Sequence, residues 1–268
     1  MDILRSFRAL IEAVREDSDF RRLGFWPGWS VYYRYLGRWY DRRGKSMPYG
    51  TVNFTCRGQK VWFEMSNRYL GAFAGVFLDE EYDCGTELES PPRRILDLGG
   101  NIGFGSVYLS KLFPGAEIVA IEPDPRNMPL LRTNLQRNHV DAHVISGAVG
   151  PRRGRLALRY GDDPACSSLV GTGMHDLAHS LDVEIITVQD IMNQVGWRFV
   201  DLVKIDIEGA EDALLAEENA WLHNVGSLLV EVHPNTTYER LNACLAPYGL
   251  VLRRLGETRE PVFFASRS

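Results

Sequence analysis

Cysteine is scarce: Cys56, Cys84, Cys166 and Cys244 are the only four in 268 residues, and no two form a C-x-x-C pair. That spacing offers neither a disulfide framework nor a thiolate metal site, and it predicts free thiols in a reducing cytoplasm. No apolar run reaches the length of a bilayer span. The opening MDILRSFRALIEAVRED sets Asp2, Arg5, Arg8 and Glu12 where a secretory signal would be apolar, so none is read there. Basic charge is not in excess either. Lys and Arg total 30 against 35 Asp and Glu, a net charge of −5, which lacks the footprint of a nucleic-acid binder. Internal repeats and low-complexity tracts are absent. These gaps point away from nucleic-acid and membrane partners and towards a small-molecule one.

What remains is a chain with ordinary globular patterning and room for one sizeable core. It divides by texture into three parts. Residues 1–50 form an N-terminal extension. Ile3, Leu4, Phe7, Leu10, Ile11 and Val14 recur at helical spacing there, followed by a run crowded with Trp, Tyr and Phe. Such rings bury large areas while presenting polar tips, so the extension is expected to help shape an acceptor pocket or a homodimer contact. Its arginines fit a solvated face or an anion patch. Residues 51–92 read as a hairpin turning at Arg57-Gly58-Gln59, then a helix over 66–80 capped by Ser66 or Asn67. Residues 93–268 alternate strand and helix.

In that last part RRILDLGG, AEIVAIEP, AHVISGAVG, VDLVKIDIEGA and GSLLVEVHP read as strands, and GSVYLSKLF, RNMPLLRTNLQRN and EDALLAEENAWL as helices. The order predicts an α/β, Rossmann-like fold, a mostly parallel sheet with helices on both faces. Residues 151–182 read as a hairpin plus an irregular loop, a candidate lid.

Ligands of such sheets sit beyond the carboxyl ends of the strands. Asp97 through Gly105 (DLGGNIGFG) lies between a strand and a helix, with glycines that let backbone approach a ligand. Glu122 ends the next strand, where a carboxylate can accept from ribose hydroxyls. A nicotinamide cofactor would need glycine at positions 101 and 104, which are Asn and Phe. Asp97 would also repel its pyrophosphate. A sulfonium with an ammonium group suits the acidic entry better, so S-adenosylmethionine is the expected cofactor.

The two motifs together resemble a known family. ILDLGGNIGFGSVYLSKLFPGAEIVAIEPDPRN resembles the first motifs of class I methyltransferases. VDLVKIDIEGAEDALL resembles the signature of FkbM-type methyltransferases, with MSNRYLGAFAGVFLDEEYD and LVEVHP similar to flanking segments. The resemblance covers roughly residues 60–250 and implies S-adenosylmethionine-dependent methyl transfer, mostly O-methylation of sugars, polyketides and other secondary metabolites, with carboxyl or N-methylation as alternatives. It implies that Asp97, Gly99, Asn101 and Gly103 line the methionine end of the cofactor, that Glu122 binds ribose, that Ala148 and Val149 touch adenine, and that Asp206 lies beside the methyl. With their neighbours Gly100, Pro123 and Asp124 these make the expected cofactor set. An NAD-dependent oxidoreductase and a non-catalytic cofactor-binding protein are the competing classes.

The proton must also go somewhere. Asp206, Glu208, Glu211, Glu231 and His233 fall at the carboxyl ends of the fourth and fifth strands. Lys204, Asp206 and Glu208 share one side of a strand by period two, and buried ionisable groups must pair or face a site. His233 has the intrinsic pKa suited to a neutral-pH base, so His233, Asp206, Glu208 and Glu231 form the expected catalytic set. Mg²⁺ held by Asp206, Glu208 and Glu231 is an alternative that is not favoured, and no metal is assigned. His175 and His179 have helical metal-pair spacing but lie in a glycine-rich loop.

Overall fold

The computed structural model describes residues 49–160, 167–169, 179–256 and 261–267. The helical and aromatic extension, His175 and much of the candidate lid lie outside the described residues. A hairpin comes first, β1 (Gly50–Cys56) and β2 (Gln59–Met65). Arg57 and Gly58 at its tip have φ of 49° and 75°, the left-handed pair that matches the twist of two-residue hairpins. A 3₁₀ turn at Asn67–Tyr69 leads into helix α1 (Leu70–Phe77). This is shorter than the predicted helix, and its N-cap is Tyr69 with no side-chain cap. Ser66 contributes its backbone carbonyl, accepting from Tyr69 N at 3.2 Å.

Seven strands make the main sheet: β3 (Arg94–Leu98), β4 (Glu117–Glu122), β5 (Ala142–Ser146), β10 (Val200–Ile205), β11 (Val225–Glu231), β12 (Leu250–Arg254) and β13 (Val262–Arg267). Their order is β12-β13-β11-β10-β3-β4-β5. All run parallel except β13, which is antiparallel to both neighbours. This is the Rossmann-like architecture expected of a class I methyltransferase, with β3 and β10 flanking the point where strand order reverses.

The strands show why they read as near-continuous apolar runs: they are covered on both faces. Ile95, Ile118, Leu202 and Leu229 enter one core. That core also holds the hairpin, α1, α2 (Phe104–Leu112) and α3 (Met128–Arg137). The alternate residues Leu96, Val119, Val203 and Leu228 enter the other core with α4 (Val188–Gln194), α5 (Glu211–Ala216) and α6 (Tyr238–Leu245). The hairpin therefore shares a core with the sheet. Phe63 meets Phe104 edge-on at 4.8 Å between ring centres.

AHVISGAVG is two strands, not one. Gly147 N turns back to Glu122 O at 3.1 Å, and β6 (Ala148–Val149) leaves for a small second sheet with β7 (Gly154–Tyr160), β8 (Ser167–Leu169) and β9 (His179–Ile186). Among the described residues no helix is long and apolar enough to cross a membrane.

Candidate functional site

The carboxyl ends of β3, β4 and β10 and the start of β6 line an open cavity, at the end of the sheet where ligands of such folds sit. Its floor is the glycine loop. Gly99 N and Gly100 N both donate to Ile121 O, at 3.0 and 2.8 Å, folding the loop over β4. Gly99 has φ of 85°, and a Cβ there would overlap the Asp206 carbonyl oxygen, so glycine alone lets β3 and β10 end this close together. Asn101 also sits in the left-handed region at φ 47°.

Glu122 closes the far wall of the loop. One carboxylate oxygen accepts from Asn101 N at 2.8 Å; the other accepts from Asp124 N at 2.9 Å and Asn127 Nδ2 at 3.2 Å. Asn127 is fixed in turn by the Tyr69 hydroxyl at 2.9 Å. Burial pushes the Glu122 carboxyl up to about 7, while these hydrogen bonds pull it back. Ala148, Val149 and Leu158 supply an apolar end beside it.

The opposite end is charged. Lys204 is buried at the end of β10, where its ammonium donates to Gly99 O at 2.7 Å and lies 3.1 Å from Asp97 Oδ1 and 3.3 Å from Asp206 Oδ2. Asp206 and Glu208 line the cavity; Glu231 and His233 lie behind them. His233 Nδ1 is 3.0 Å from Glu211 Oε1, and its Nε2 is 3.7 Å from both Glu208 and Glu231. Glu211 is fully buried at the start of α5 and also accepts from Ile207 N and Gly209 N, at 3.0 and 3.2 Å. Burial pushes the Glu208 carboxyl up to about 8, and Asp206 beside it adds to the rise.

Several expected residues meet at the cavity: Gly99, Asn101, Glu122, Pro123, Ala148, Val149 and Asp206 all line it. Others lie beneath it. Asp97 does not line the cavity itself; it is fully buried under the loop, held by Ser106 Oγ at 2.6 Å and by Lys204. Asp124 turns away to clamp Arg126 at 2.5 Å. Gly100 and Gly103 are spacers; Gly103 opens α2 with φ of 97°. Lys204 and Asp206 do share a side, but β10 ends at Ile205, and Glu208 sits past it at φ 53°.

The expectation that His233 is a neutral-pH base does not fit its surroundings. Burial lowers its pKa, but the Glu211 hydrogen bond and the nearby Asp206 and Glu231 charges outweigh this and push it up to about 10. An imidazole already carrying its proton at neutral pH cannot take another. Asp206, Glu208 and His233 bring donor atoms within 4.8 Å of one another. Lys204 already supplies the cation at Asp206 and Glu211 holds the imidazole, so we assign no metal there. Sequence reasoning missed Asn127 and Tyr82, whose hydroxyl reaches Asp206. Both lie outside the glycine loop and the acidic strand-end runs.

Comparison with known proteins identifies the family. A model of the methyltransferase FkbM domain matches residues 97–254, more than half of the chain. Methyltransferase sdnD of Sordaria araneosa is 29% identical over 212 residues, covering 67% of this chain and 81% of its own. The 31-O-demethyl-FK506 methyltransferase FkbM of Streptomyces tacrolimicus is 24% identical over 188 residues, covering 59% and 72%. The 2-O-methyltransferase NoeI of Sinorhizobium fredii is 27% identical over 167 residues, covering 57% and 68%. With the sheet order, the glycine loop and the acidic strand ends in place, the chain belongs to the FkbM family of methyltransferases.

Proposed function

We propose that this chain transfers a methyl group from S-adenosylmethionine to a hydroxyl of a small molecule. The supporting observation is the cavity's polarity: the Glu122 carboxylate and an apolar slot at one end, the Asp206 and Glu208 carboxylates at the other. The residues fit such a cofactor. Among the described residues Asn101 Oδ1 is buried at the cavity without a hydrogen-bond partner, an acceptor suited to a donor such as an ammonium group. Ala148, Val149 and Leu158 make a slot for a flat base, and Glu122 is placed for ribose hydroxyls. When bound, the cofactor supplies an electrophilic methyl.

The protein's own part is to orient the acceptor and receive its proton. Asp206 is the base in this reading. It lines the cavity, and Lys204 and the Tyr82 hydroxyl hold its Oδ2 at 3.3 and 3.0 Å. Glu208, raised to about 8, is fitted to hold a proton and donate a hydrogen bond to the acceptor. Two similar proteins bear O-methyltransferase names, which supports oxygen over nitrogen or a carboxyl group as the site of methylation.

Calorimetry should show S-adenosylmethionine and S-adenosylhomocysteine binding and NAD not binding. A screen of hydroxylated metabolites with methyl-labelled cofactor should then give an oxygen-methylated product. Binding of NAD without the sulfonium cofactor would refute the reading, and label on nitrogen or a carboxyl group would refute the hydroxyl assignment.

A further inference from the structure

Two turns meet at the charged end of the cavity. The first, after β10, carries Ile207, Glu208 and Gly209, with φ of 53° at Glu208 and 93° at Gly209. A residue other than glycine stays in that region only where its surroundings hold it. Glu211 provides the hold, its Oε1 accepting from the N–H groups of Ile207 and Gly209, on both sides of Glu208. The second turn, after β11, carries His233 and Asn235. Asn235 Nδ2 donates to Gly209 O at 2.5 Å, and His233 Nδ1 lies 3.0 Å from the same Glu211 Oε1. With Nδ1 fixed there, the ring brings Nε2 to 3.7 Å from Glu208 Oε2, within ion-pair range. The Glu208 side chain is 31% exposed and lines the cavity, against 9% for His233 and none for Glu211. Of the three, Glu208 is the one open to a ligand, and the other two support it from behind.

We propose that His233 is a positioning residue for methyl transfer, and that with Glu211 it holds the Glu208 carboxyl so that Glu208 meets the acceptor as a hydrogen-bond donor. The inference rests on Glu208 facing the acceptor in the reading above. A doubly protonated imidazole has two N–H donors and no lone pair. It stands only against an oxygen without a proton, which leaves the Glu208 proton on Oε1. An acid held this way offers an O–H to a lone pair of the acceptor. Asp206 remains the group that takes the proton of the reacting hydroxyl.

The charges around the ring support both protonation states. Glu211, Asp206 and Glu231 push His233 up to about 10 against burial. Burial, then Asp206 and Glu211, raise Glu208 to about 8, and His233 and Lys204 restrain it. Glu231 also lies 3.7 Å from Nε2, but burial first holds it well above the usual carboxylate range, so it does not draw the ring away as an anion would.

The test is His233→Asn, whose amide can still donate to Glu211 from the place of Nδ1, while the charge and the Nε2 donor are gone. S-adenosylhomocysteine affinity should stay within about twofold, and the acceptor KM should rise roughly tenfold with kcat changed less. Infrared spectra give a readout that needs no turnover. The protonated-carboxyl band lost in Glu208→Gln should titrate near pH 8 in the wild type and at higher pH in His233→Asn, because removing a nearby cation favours the neutral acid. An unmoved band would overturn the proposal. Glu208→Ala separates the two readings. If it leaves the acceptor KM unchanged while S-adenosylhomocysteine still binds, Glu208 does not meet the acceptor. If it raises KM and His233→Asn does not, His233 only packs. Should His233→Asn fail to fold, the nitrogen-15 spectrum of the wild type carries the test: the ring should be doubly protonated at pH 8, and a neutral ring there would overturn the proposal.

Discussion

Glu122 faces conflicting demands at a single position. Burial favours its protonated form, whereas three N–H donors favour the anion, as the proposed ribose contact would. Its pKa in the folded protein is raised, to about 7 from 4.5. Its contribution to stability is therefore complete below about pH 4.5 and is lost as pH rises through about 7. Ligand affinity runs the other way, because ribose hydroxyls donate to the ionised group. S-adenosylhomocysteine affinity measured by calorimetry should rise as pH passes about 7, and Glu122→Gln should bind roughly tenfold or more weakly with that slope gone. A flat profile in the wild type would remove Glu122 from the ribose contact. His233 shows the limit of reading a residue from its type. Its intrinsic pKa marks it as a base, but the Glu211, Asp206 and Glu231 charges that hold it charged come from separate elements and become neighbours only in the fold.

At the scale of elements, the glycine loop makes a discriminating test. Gly99 has positive φ and no room for a Cβ against the Asp206 carbonyl, whereas a Cβ on Gly100 would meet Ala120 and Leu131 at an ordinary 3.4 Å. Gly99→Ala should destabilise the protein by about 3 kcal/mol or more and abolish cofactor binding. Gly100→Ala should cost under about 1 kcal/mol. Denaturant melts of the two variants check this, and equal losses would refute it. The core strands were legible because two-sided burial writes continuous apolar runs with glycine at their ends. The last two strands, β12 and β13, carry no motif at their ends. The break at Gly147 was hidden because AHVISGAVG stays apolar while the chain changes sheets.

For the whole molecule, the tie between the hairpin and the sheet domain is polar as well as apolar. Asn134 of α3 and Asn138, which caps its C-terminus, act as a surrogate strand along β2. Asn138 Oδ1 accepts from Trp62 N at 2.9 Å and its Nδ2 donates to Trp62 O at 2.6 Å. Asn134 does the same at Glu64, at 2.7 and 3.2 Å. Nothing in the sequence announces this pairing, since the partners are some seventy residues apart and asparagine on a helix ordinarily reads as a solvated face. Replacing Asn138 with Ala should cost about 2 kcal/mol in denaturant melts, and a loss under about 0.5 kcal/mol would show the tie to be dispensable. The same amides have a colloidal consequence. A strand flank with unsatisfied donors and acceptors is a template on which another molecule can add its own strand, and so begin a fibre. By occupying those groups from within the same chain, Asn134 and Asn138 take that flank of β2 out of circulation, so their loss would be felt in solubility at high concentration as well as in melting.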